Sequence, residues 1–218
     1  MKLEAQVLSR FIAKQFGQSG NIQPRLTSNQ STAAALVEAL FMDMSRAGRR
    51  FVASPGVVAN AQAPVQDVPT TAAAYALWNG EAAGGKTYVV DAVSWWQASG
   101  TAGAGASLLA GVSSVVQAAA VAAGTGTVIK SASGSSLSSK ATLGAAVTLS
   151  GAPAWMAVSG NQEPTTAGVG SGQPLQILSG LFIVPPGFCL GLHFLAPAGT
   201  ASKFSAAPMW HEIELDLE

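Results

Sequence analysis

The feature that most constrains this chain is a period-two pattern near its end. From Trp210 to Leu217, the residues Trp210, Glu212, Glu214 and Asp216 alternate with His211, Ile213, Leu215 and Leu217. Successive side chains of a strand point to opposite faces, so a strand sorts the acids from the aliphatics, whereas a helix scatters them. Two strand-type runs precede it, Gln176 to Val184 and Gly187 to Ala196, punctuated by Pro185-Pro186-Gly187 and by a Gly/Ala/Ser/Pro segment. The pattern predicts three closing strands of a β-sheet. Ile213, Leu215 and Leu217 are expected to face the core, and the acids to face solvent or a neighbouring subunit.

The chain upstream reads the same way from Thr70 onward. Thr71 to Asn79 and Thr87 to Gln97, rich in β-branched and aromatic residues and joined across Asn79-Gly80 and Ala83-Gly84-Gly85, predict a hairpin. Ser107 to Ala122, Thr125 to Ser131, Ala141 to Leu149 and Trp155 to Val158 are further strand candidates, although Leu108, Val112, Val115, Val116 and Ala119 also suit a helix. Eight to ten short strands with no helix between them imply an antiparallel sandwich or barrel. The Gly/Ser-rich residues 131–139 and 165–173 read as loops.

The first fifty residues differ. Leu3, Val7 and Phe11, with Leu8, Ile12 and Phe16 one step round, fall at helical spacing, and Gly17 and Gly20 end the run. Its apolar face has no partner nearby, so it must dock on the domain, a neighbouring subunit or another protein. A second helix is expected over Ala33 to Met44, with Gly48 as its stop. Pro55, Gly56, Pro64 and Pro69 then mark the passage to the β domain. The expected organisation is a helical N-terminal arm over residues 1–62 and a β domain over 63–218.

Charge narrows the function classes. Only 10% of residues are charged and the net charge is zero, so much of the surface is neutral, as suits packing against copies or other subunits. Residues 1–50 carry +4 and the remainder −4, but without the dense basic run of a nucleic-acid arm. The single Cys189 excludes an internal disulfide and a Cys-based zinc cluster. Glu4, Arg10 and Lys14 interrupt every candidate signal-peptide core, so export by that route is not expected. The uncharged span between Asp91 and Lys130 is too rich in glycine and serine for a membrane helix.

No stretch announces chemistry. His193 and His211 are the only histidines, and Ser159 lacks the Gly-x-Ser-x-Gly context of a nucleophile elbow. On a strand, Cys189 and His193 share a face with Gly191. They would hold a metal only with a third ligand such as His211 or Glu212, and the commoner outcome is a buried thiol and a hydrogen-bonded imidazole. Glu212, Glu214, Asp216 and Glu218 stand nearly 7 Å apart in pairs and need a complementary loop to chelate calcium. They read instead as a solvated face, a guarded edge, or a complement to the basic arm of a neighbouring copy. Trp95-Trp96 must split between two faces, which leaves one exposed ring at most for a sugar. No cofactor is expected.

The segments AAAYALWNGEAAGGKTYVVDAVSWW, Ala72 to Trp96, and IVPPGFCLGLHFLAPAGTASKFSAAPMWHEIEL, Ile183 to Leu215, resemble bacteriophage virion proteins with a jelly-roll domain of the tumour-necrosis-factor-like kind. The resemblance implies an antiparallel jelly-roll sandwich, a homotrimer, other virion proteins as partners, and a place on a capsid, head fibre or tail, with no enzymatic site. Leu3, Val7, Phe11 and Phe16 of the arm, with Trp95, Trp210, Glu212 and Glu214, are the expected assembly contacts. The rival expectation is a carbohydrate- or receptor-binding knob that uses the two Gly/Ser-rich loops.

Overall fold

A computed structural model describes residues 42–55, 60–100, 105–115, 127–130, 136–151, 153–163, 175–196 and 202–214. The chain divides into two compact units, Met1–Asp43 and Met44–Glu218, and the strands all belong to the second. The sequence expectations for Leu3 to Phe16, for most of Ala33 to Met44 and for residues 165–173 lie outside the described residues. What is described there is a helical turn at 42–46, and Gly48 ends it as expected. Gly48 takes φ 68°, its N–H donates to Ser45 O, and Arg49 N–H donates to Met44 O at 2.9 Å, the paired bonds of a left-handed glycine cap.

Ten strands follow among the described residues: β1 (Arg50–Ser54), β2 (Ala72–Asn79), β3 (Thr87–Ser99), β4 (Gly105–Val115), β5 (Thr127–Lys130), β6 (Ala141–Thr148), β7 (Met156–Glu163), β8 (Leu175–Val184), β9 (Cys189–Leu195) and β10 (Lys203–Ile213). They form two five-stranded antiparallel sheets, β5-β1-β10-β3-β8 and β6-β2-β9-β4-β7. With β5 and β6 set aside, strands β1 to β4 alternate between the sheets, β7 to β10 do the same, and β4 pairs with β7. That is the order of an eight-stranded jelly roll. The helix rival for β4 loses because β4 is hydrogen-bonded on both sides, to β7 and to β9.

Several expectations about pairing are corrected. The Asn79-Gly80 region does not close a hairpin, since β2 and β3 lie in opposite sheets, and the three closing strands are likewise divided between sheets. The domain starts earlier than residue 63, because β1 is a full member of a sheet between β5 and β10. The last strand begins at Lys203, so it takes in residues expected to be a linker. It accommodates Pro208 beside an irregularity between Met209 and Trp210.

One core fills the space between the sheets. Trp95, Trp210, Tyr75, Tyr88, Phe51, Phe182, Phe194 and Phe204 are its large members, each at most 2% exposed. Their rings pack in contact, with Phe194 5.4 Å from Phe204 and Tyr88 5.7 Å from Trp210. Gly111 of β4 sits tight under this packing: a Cβ there would lie 3.0 Å from both the Phe182 and the Val158 side chains, which would have to give way.

Candidate functional site

The outer face of the β1-β10-β3 sheet holds a buried charged cluster that the sequence did not announce. Met209 is in register with Ala92 and Trp210 with Val90, so Asp91 is an extra residue in β3, a bulge. Val90 and Val93 both reach the core, and the residues between them turn outward. Asp91 Oδ1 lies 2.7 Å from His211 Nδ1 on β10, and Asp91 Oδ2 lies 3.4 Å from Arg50 Nε on β1. With the carboxylate ionised, Nδ1 of His211 carries the hydrogen and donates it. An acid that orients an imidazole is also a feature of hydrolytic triads. Here the side chains of Asp91 and His211 are only 2% and 8% exposed, which suits a tie across three strands better than contact with a substrate.

The acidic face is where the sequence reading fails most clearly. Glu212 was expected to face solvent or a neighbouring subunit and is instead buried within the chain, 0% exposed, because it shares the face of Trp210, which lies in the core. Its Oε2 accepts from Lys86 Nζ at 3.2 Å, and it stands in register with Tyr88. Burial raises the Tyr88 phenol above its ordinary range; a hydrogen bond donated by Ser139 opposes this, and the charges of Glu212 and Glu81 add to it. Glu81 pairs in turn with Lys140 at 3.0 Å. Glu214 is exposed, whereas Leu215, Asp216, Leu217 and Glu218 lie outside the described residues. Among the described residues no group of three or more His, Cys, Asp or Glu is placed to hold a metal.

Cys189 and His193 do share a face, the outer face of the second sheet, while Leu190, Leu192 and Phe194 point into the core. Cys189 is packed with Ala73, Ala76 and Leu149, and burial pushes its thiol up to about 12. The His193 ring meets Trp155 edge-on at 6.2 Å, and Phe194 N–H donates to its Nδ1 at 2.9 Å. Burial lowers the His193 pKa, opposed by the Phe194 carbonyl 3.1 Å from Nδ1, which accepts a hydrogen bond from the protonated ring. The third ligands considered from sequence, His211 and Glu212, belong to the other sheet.

Of the expected assembly contacts, Trp95, Trp210 and Glu212 are buried within the chain itself, and Glu214 is exposed. Leu3, Val7, Phe11 and Phe16 lie outside the described residues. Trp96, the outward neighbour of Trp95, is half-buried, as strand alternation requires. The exposed apolar surface gathers instead on β8, where Leu175, Ile177 and Leu181 are 53–62% exposed. Alternation was hard to see there because the inward positions, Leu178, Phe182 and Val184, are equally apolar.

The chain matches no family model, no curated protein and no solved structure.

Proposed function

We propose that this chain is a non-enzymatic structural subunit of a virion, a self-associating jelly roll that decorates, cements or forms part of a phage capsid, head fibre or tail. The observation that carries the reading is the outer face of β8. Three large aliphatic side chains stand in solvent on a strand with no charged residue, in a chain whose charged fraction is 10%. Contiguous apolar surface rimmed by little charge marks an interaction site and is a liability on a free monomer. The jelly-roll strand order and the absence of a three-ligand metal cluster among the described residues are compatible with a structural role. Size-exclusion chromatography with light scattering, followed by electron microscopy of particles carrying the protein, tests the reading. A discrete oligomer and density on the particle surface are expected; a monomer at micromolar concentration that is missing from purified particles overturns it.

A further inference from the structure

Between β1 and β2 the chain crosses from the first sheet to the second, and residues 60–65 fasten to both on the way. Gln62 bridges to Phe204 of β10, and each N–H donates to the other residue's carbonyl at 2.8 Å. Three residues on, Val65 bridges to Leu195 of β9: its N–H donates to Phe194 O and its carbonyl accepts from Ala196 N–H, both at 3.0 Å. A side chain of the second sheet fastens the strap a third time. Tyr75 O–H on β2 donates to Asn60 O at 2.6 Å, and the phenol oxygen lies 3.4 Å from Phe204 O. The Phe194 and Phe204 rings stack at 5.4 Å, with Tyr75 6.0 Å from Phe194, so the three fastenings gather at one aromatic end of the core.

The attachment is narrow. Each bridge is isolated rather than part of a ladder, and along the strap Ala61 is buried while Ala63 and Val65 are exposed. Releasing the strap exchanges a few hydrogen bonds for bonds to water and exposes little apolar surface, whereas releasing a strand exposes much of the core. The fastenings also share atoms. Asn60 O accepts from both Tyr75 O–H and Gln62 Nε2–H, and Phe204 meets both Gln62 and Tyr75, so the loss of one bond loosens the next. We propose that residues 60–65 are a clasp that opens and closes as one unit at the aromatic end of the sandwich, while the strands of both sheets stay paired.

Native-state amide hydrogen exchange on the full chain tests this. The amides of Gln62, Val65, Ala196 and Phe204 are expected to share one opening constant within about threefold, and that constant to exceed those of Leu77 and Leu192, in the middle of the second sheet, by about 100-fold or more. Tyr75→Phe keeps the ring and removes the fastening to Asn60, so it is expected to raise the shared constant about tenfold. Four amides as slow as Leu192 would mean that the strap opens only with the whole domain, which overturns the clasp. Four unrelated constants overturn its opening as one unit. A Tyr75→Phe variant that speeds Leu192 but not the four overturns the part given to Tyr75, since the phenol would then stay bonded to an open strap.

Discussion

His211 Nδ1 on β10 donates to Asp91 Oδ1 on β3 at 2.7 Å, across 120 residues of chain, and Arg50 Nε approaches the other oxygen of the same carboxylate from β1. β1 is held to β10 by only three registered pairs, Arg50 to Val52, and β5 pairs with β1 in turn. The cluster therefore helps to secure one end of the sheet. Removing one partner of a buried ion pair leaves the others desolvated and uncompensated, so Asp91→Ala is expected to lower stability by about 3 kcal/mol in urea unfolding. Asp91→Asn keeps an acceptor for His211 but loses the charge opposite Arg50, and about half that cost is expected. An Asp91→Asn variant as stable as wild type would show that the ionic contact with Arg50 contributes nothing, and equal costs for the two variants would show that the charge carries the whole effect.

Glu212 and Lys86 offer a sharper test of the same physics, because the Glu212 side chain is 1% exposed and that of Lys86 28%. Glu212→Ala should cost about 2–3 kcal/mol, since it strands the Lys86 charge beside the core and leaves a void next to Tyr88. The double variant Lys86→Met/Glu212→Leu replaces the pair by apolar groups of similar size and is expected to lie within about 1 kcal/mol of wild type. Denaturant titration of the two variants decides it. A double variant as unstable as the single one would mean that the ion pair itself, rather than the desolvated remainder, carries the stability.

These two clusters also mark how far the sequence could be read. Period-two alternation from Trp210 onward identified the end of β10, which runs to Ile213, and the turn residues around Pro185 to Gly187 placed its neighbours, so the β class and the approximate strand positions were legible. Alternation separates two faces but does not say which is inward. The inference that acids face water assumed no counter-charge, and Lys86, 126 residues away, supplies one. The same distance hid Asp91 from His211 and turned an expected hairpin into a connection between sheets. Local turn chemistry reports that the chain reverses, whereas the sheet a strand joins depends on partners far along the chain. The Cys189 and His193 face was legible because it depends only on alternation within one strand.

Acid should weaken the fold through His193. Burial holds its pKa below the ordinary 6.5, so between its folded value and 6.5 the unfolded chain binds more protons than the folded one. Stability therefore rises with pH across that window and falls as pH drops below about 6.5, with a slope of at most about 1.4 kcal/mol per pH unit from this group. The variant His193→Gln removes the titration and is expected to flatten that part of the profile, measured as urea midpoints at several pH values from pH 5 to pH 7.5. An unchanged acid slope in the variant would assign the effect to other groups.

Asn79 binds two connections at one end of the sandwich. Its side-chain amide donates to Lys86 O at 2.8 Å and to Val184 O at 2.9 Å, and its Oδ1 accepts from Glu81 N–H at 3.0 Å. Its own backbone N–H donates to Phe188 O, and its carbonyl accepts from Gly187 N–H, so the β2–β3 connection and the β8–β9 turn are fastened at one fully buried residue. Asn79→Ala strips two carbonyls of their donor and is expected to cost about 2–4 kcal/mol. Asn79→Asp is expected to cost more at pH 7, because it points a carboxylate oxygen at those two carbonyls. Both burial and the facing oxygens disfavour the charged form, so the carboxyl of the folded variant should titrate above its unfolded value. With the folded value raised, the penalty grows as pH rises through the unfolded carboxyl range and shrinks below it. Urea unfolding of the two variants at pH 7 and near pH 4 is the measurement. The gap between Asn79→Asp and Asn79→Ala should narrow at the lower pH, and a gap independent of pH would place the new carboxylate in solvent rather than in the joint between the two connections.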